Sequence, residues 1–81
     1  MRDLRQMPVR FTNHALRMLV KRSGLSIDEV RYHIKVARVM RPVEKDGKCG
    51  ILQSDIGNIK IRFVYMVREG TLWIVTMEVN E

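Results

Sequence analysis

Two histidines, one cysteine and fifteen lysines and arginines are what this 81-residue chain offers for chemistry. Imidazole titrates near neutrality, so His14 is the best candidate for moving a proton. Arg17 and Lys21 follow it at i+3 and i+7, and on a helix all three would share one face. Arginine adds planar, forked donors, which suit a phosphate better than a point charge does. Arg31, Lys35 and Arg38 make a second basic stripe, and Lys60 and Arg62 a third cluster. No metal site is expected: His14 and His33 lack carboxylates at ligand spacing, and the single Cys49 excludes both a cysteine-rich zinc site and an internal disulfide. Cys49 reads as a small strand hydrophobe, and His33, beside basic residues, as a surface group.

The charge balance supports the same chemistry. Fifteen basic residues face nine acids, giving a formal +6, and the acids concentrate in caps and turns: Asp28, Glu29, Asp46, Asp55 and Glu69. So small a body carries a positive field that attracts polyanions, nucleic acid first and acidic protein or membrane surfaces after it. The length gives one domain, residues 1–81, and a fold marginal enough alone that a partner is expected. No apolar run approaches the ~18–20 residues that span a bilayer, and the opening MRDLRQMP lacks the apolar core of a signal peptide. The expectation is a soluble, cytoplasmic protein that does not enter a membrane.

Two helices must position the first cations. Thr12 can cap a helix beginning at Asn13 or His14, whose apolar face is Ala15, Leu16, Leu19 and Val20. Gly24 suits the left-handed residue that ends a helix. Ser26 and Glu29 then form a capping box, opening a helix expected from Ile27 to about Arg38. Its buried stripe would be Ile27, Val30, Ile34 and Ala37.

The rest reads as strand and turn. Met7–Phe11 could be a short edge strand, since Pro8 cannot donate to a ladder. Val39–Lys45 and Lys48–Gln53 flank Asp46-Gly47, a favoured two-residue hairpin loop, with Pro42 keeping the first strand near an edge. After a turn at Asp55-Ile56-Gly57 come Asn58–Val67 and Thr71–Val79. A three-residue loop, Arg68-Glu69-Gly70, would pair Val67 with Thr71, Tyr65 with Trp73, Phe63 with Val75, Ile61 with Met77 and Ile59 with Val79. That register makes one nearly all-apolar face, with Tyr65 and Trp73 as packing residues; a two-residue loop would mix polar with apolar and is rejected. The other face would set Lys60 beside Glu78, a cross-strand ion pair, and leave Val64, Met66, Leu72 and Ile74 as an exposed apolar half fit for a partner or a second copy. Met18, Met40, Met66 and Met77 read as core or interface. The fold class is α+β: a two-helix hairpin on one face of an antiparallel sheet of about four strands, in the order (β)ααββββ.

The wording His14-Ala15-Leu16-Arg17-Met18, then Lys21-Arg22 and Gly24-Leu25-Ser26, resembles the opening of an uncharacterised RelE-like domain family, roughly His-Ala-x-Arg-Met-x-x-Arg-Gly-Ile-Ser. The element order and the closing strand Leu72–Glu78 are likewise similar to the RelE/ParE toxin superfamily, small basic proteins of toxin–antitoxin modules. The resemblance spans residues 9–79. It departs in Ser23, inserted before Gly24, in Leu25 for Ile, and in an acidic tail where many active relatives keep a basic or aromatic residue. What it implies is a RelE-like fold and a basic RNA-binding domain, a metal-independent and cofactor-free endoribonuclease of the mRNA interferase type. In such an enzyme basic groups surround a phosphate while a neighbouring 2′-hydroxyl attacks it. His14 and Arg17 would be catalytic, with Lys21, Arg22, Arg31, Lys35, Lys60 and Arg62 binding nucleic acid. The implied partners are RNA or the ribosome, an acidic antitoxin-like protein, and a second copy through the sheet face. The alternative is a non-catalytic module that binds nucleic acid or antitoxin with the same fold.

Overall fold

A computed structural model describes residues 6–19, 21, 24–43, 47–55 and 58–80. The elements are β1 (Val9–Phe11), α1 (Asn13–Met18), α2 (Ile27–Val36), β2 (Arg38–Arg41), β3 (Cys49–Ser54), β4 (Lys60–Arg68) and β5 (Thr71–Asn80). They form an α+β fold whose sheet has the strand order β1-β5-β4-β3-β2. The sheet is mixed, not purely antiparallel, and has five strands: β1 runs parallel to β5, while the other neighbours are antiparallel. Composition could not reveal the parallel pair, because its strands lie at opposite ends of the chain.

The local signals behave as their chemistry requires. The Thr12 hydroxyl caps α1 by accepting from the Ala15 amide at 3.1 Å. Ser26 and Glu29 complete the reciprocal capping box of α2, and Gly24 takes φ +65 between the helices. α2 stops at Val36, short of Arg38, because Ala37 is already extended and Arg38 enters β2. The first strand of that hairpin ends at Arg41, before Pro42, and Asp46 of the expected loop lies outside the described residues, as do Ile56 and Gly57.

Both helices cover one face of the sheet, α1 over β5 and β1, α2 over β3. Between them lies a core of Ala15, Leu19, Val30, Ile34, Leu52, Ile61, Phe63, Tyr65, Val67, Leu72, Ile74 and Met77. Ile27, expected in the buried stripe, is exposed, and His33 takes its share of the α2 interface instead. His33 is therefore a core residue and not a surface one: it is buried, and its Nδ1 shares a 2.7 Å hydrogen bond with the buried Ser54 hydroxyl. Two same-face positions along β3, Tyr65 lies against Gly50, where an added Cβ would stand 2.7 Å from its ring and 2.5 Å from the Arg41 carbonyl oxygen.

The β4–β5 hairpin differs most from expectation. Its loop has two residues, Glu69 at φ 51 and Gly70 at φ 76, so Arg68 pairs with Thr71 and Val67 with Leu72. The register then shifts: Tyr65 pairs with Ile74 but Val64 with Thr76, leaving Val75 as a bulge. Near the loop the expected face is thus inverted, burying Leu72 and Ile74 and turning Trp73 away from the core. Beyond the bulge the phase is restored and Met77 points inward. The polar mismatch that argued against a two-residue loop is cancelled by one extra residue. The bulge is also where α1 is tied down: the Thr12 amide donates to the Ile74 carbonyl at 3.0 Å, and its hydroxyl to the Val75 carbonyl at 2.9 Å.

Candidate nucleic-acid interface

Residues that alternate with the core of β4 rise from the uncovered face: Lys60, Arg62, Val64, Met66 and Arg68. Cross-strand pairing extends this face over the sheet. Arg62 pairs with Gln53 and Glu78, and Gln53 with Arg38; Val64 pairs with Ile51, and Ile51 with Arg41. Met66 pairs with Cys49 and Trp73, and Trp73 with Arg10. The result is a central apolar strip of Ile51, Val64, Met66 and Trp73, half-buried without a helix above it. Exposed cations surround it: Arg10, Arg38, Arg41, Lys60, Arg62 and Arg68. Among the described residues of this face, only Asp55 and Glu78 are acidic.

One hydrogen-bonded chain orders the basic end. Arg62 Nε donates to Gln53 Oε1 at 2.9 Å, Gln53 Nε2 donates to Asp55 Oδ1 at 3.0 Å, and Arg38 donates to Asp55 Oδ2. Burial works upward on the Asp55 carboxyl, yet bonds from Arg38 and Gln53, with the charges of Arg38 and Lys60, outweigh it and hold the group below its ordinary 3.8. Arg38 is largely spent on that ion pair. Arg62 is oriented through a neutral amide, which leaves its charge and its two terminal nitrogens for an external anion. The expected Lys60–Glu78 pairing does not form, since Lys60 faces Asn80 and Arg62 stands opposite Glu78.

The basic residues singled out in the sequence separate into two surfaces. His14, Arg17 and Lys21 are exposed on or just beyond α1, and Arg31 and Lys35 on the outer side of α2. Lys60 and Arg62 stand beyond the sheet, on its other face, so the structure does not bring them to His14 and Arg17. Arg22 lies outside the described residues. Sequence reading missed Arg10, Arg41, Arg68 and Trp73 on the open face. The alternation Lys60-Ile61-Arg62-Phe63 pointed to the two cations of β4, but no local signal shows that a bulge turns Trp73 outward. Cys49 is exposed at the start of β3, and Met40 is exposed on β2, while Met77 is core.

No set of His, Cys, Asp and Glu among the described residues could hold a metal ion. No described helix is long and apolar enough to cross a membrane. The chain matches no family model, no curated protein and no solved structure.

Proposed function

We propose that this chain is a small, toxin-like RNA-binding domain that takes single-stranded RNA on the open face of its sheet. The observation that carries the reading is the Trp73–Met66–Val64–Ile51 strip ringed by arginines and Lys60. Bases stack on an aromatic face while phosphates follow the cations, and a pleated sheet holds both kinds of group at fixed spacing. Arg62, pre-oriented by Gln53, is the main phosphate contact, Lys60 and Arg68 flank it along β4, and Trp73 is the stacking platform. Unlike a solvated charge stripe, this face combines cations with uncovered apolar surface.

Binding without cleavage is the form of the proposal that the geometry favours. Metal-independent cleavage needs an acid–base group beside the phosphate that the cations hold. His14 and Arg17 share the helical surface, across the sheet from Lys60 and Arg62. The test is fluorescence anisotropy of a labelled single-stranded RNA against salt, with gel analysis for cleavage in the same mixtures. Affinity should fall steeply with salt, and Arg62→Ala should reduce the slope by about 0.7. Trp73→Ala should weaken binding by about 1–3 kcal/mol. Intact RNA in every mixture is the expected gel. Equal losses from Lys35→Ala on the helical side, with none from Arg62→Ala, would overturn the assignment of the face. Cleavage abolished by His14→Ala would instead restore the nuclease reading.

A further inference from the structure

We propose that the outer face of α2 is a docking site for a second copy of this chain, the two helices packing antiparallel with Tyr32 at the centre. Val30, His33 and Ile34 turn to the core, and the opposite side of the helix carries Asp28, Tyr32 and Lys35. At i, i+4 and i+7 these three make one stripe: an acid, an aromatic and a base in order along the axis. Tyr32 is 59% exposed, and Val36, one turn further on, is 42% exposed. An edge contact with the His33 ring, centroids 6.4 Å apart, braces the Tyr32 ring, which is otherwise uncovered.

The stripe is complementary to itself. A two-fold axis beside Tyr32 runs the second helix the opposite way, so each Asp28 meets the partner's Lys35 and the two tyrosine rings come together. Antiparallel helices also set opposite dipole ends side by side. Among the described residues, neither Asp28 nor Lys35 has an ion-pair or hydrogen-bond partner within its own chain.

Charge selects this occupant. The chain carries a formal +6, so most ways of joining two copies set cation against cation. The exposed charges of α2 are balanced, two acids, Asp28 and Glu29, with two bases, Arg31 and Lys35. Such a surface has little attraction for a polyanion and little repulsion for its own copy, whereas two open sheet faces would repel. Burial of Tyr32 and Val36 supplies the attraction, and the exposed ion pairs set orientation more than strength. An interface built on one ten-residue helix lies below about 1,200 Å², which makes the dimer weak and concentration-dependent. Its consequence rests on the RNA reading: with the helices facing inward, both open sheet faces point outward, and each dimer takes two strands.

Sedimentation equilibrium of the full chain up to about 1 mM tests the contact without RNA. The expected result is a monomer–dimer equilibrium, with amide shifts on dilution at Ile27–Val36. Tyr32→Ala should raise the dissociation constant at least about tenfold. Asp28→Lys and Lys35→Glu should each self-associate less than the parent, because either change sets like charges together. Their equimolar mixture should recover the dimer, since the more basic copy then meets the more acidic one. A monomer at every concentration overturns the proposal, as does a dimer whose shifts cluster around Trp73 or a mixture that fails to recover association. A short single-stranded RNA should leave the dimer intact, and RNA that splits it would overturn the assignment to the helix side. Dimer formation with no RNA bound would support this contact while sinking the RNA reading.

Discussion

The two faces of one sheet solve opposite problems with the same alternation of residues. On the covered face, Ile61, Phe63, Tyr65 and Val67 of β4 are buried against two helices, and polar groups there are matched one to one, His33 with Ser54. On the open face, Lys60, Arg62, Val64 and Met66 occupy the intervening positions, and polar groups are chained through Gln53 with charge left over. Among the described residues no buried polar side-chain atom lacks a partner. Close pairing of that kind is what a dry interface demands, because an orphaned group there keeps its full desolvation cost. A wet face imposes no such demand, and it can carry unneutralised cations for use elsewhere.

Adjacent residues of β4 give the sharpest way to break this contrast. Phe63→Ala should cost about 3–5 kcal/mol, a large part of the ~5–15 kcal/mol that holds a domain together. Val64→Ala, one residue along and on the other face, should cost under about 1 kcal/mol. Urea denaturation of the pair measures both, and similar losses would mean the open face is covered in solution. Gly50→Ala comes next, toward the upper end of about 1–3 kcal/mol, because the new methyl meets backbone and a buried ring together. A thermal melt unchanged by that substitution would contradict the packing of Tyr65 over Gly50.

Smaller effects sharpen the polar side of the comparison. Ser54→Ala should cost about 1–3 kcal/mol by leaving the buried His33 nitrogen without its partner. Amide exchange should show the loosening in α2 and β3 before the β4–β5 hairpin. On the open face the smallest effect is a titration. The Asp55 pKa is depressed in the folded chain, so its network contributes stability above the ordinary 3.8 and loses it as pH falls through the lower folded value. Side-chain NMR of Gln53 should therefore report a titration whose midpoint lies below 3.8. A midpoint at or above that value would mean the Arg38 and Gln53 bonds do not persist.

Legibility followed the range of the interactions. The Thr12 cap, the Ser26–Glu29 box and the left-handed Gly24 were readable because every partner lies within a few residues. The buried set of β4 was readable because a strand alternates strictly. His33 was misread: its placement depends on Ser54, twenty-one residues away, and nothing near it in the chain names that partner. The open-face site was half legible, Lys60 and Arg62 from alternation, Trp73 and Arg10 only once the register was known.

Periodicity and capping are set by neighbouring residues, so an α+β domain with two capped helices, a basic surface and a strand pair of alternating character could be read along the chain. Which way Trp73 faces, the parallel pairing of β1 with β5, and the separation of the α1 and β4 cations across the sheet emerge from contacts between distant segments. One unpaired residue at Val75 inverts half of a strand's side chains, and the bonds that hold Thr12 to that bulge join residues far apart in the chain, where no local pattern can announce them.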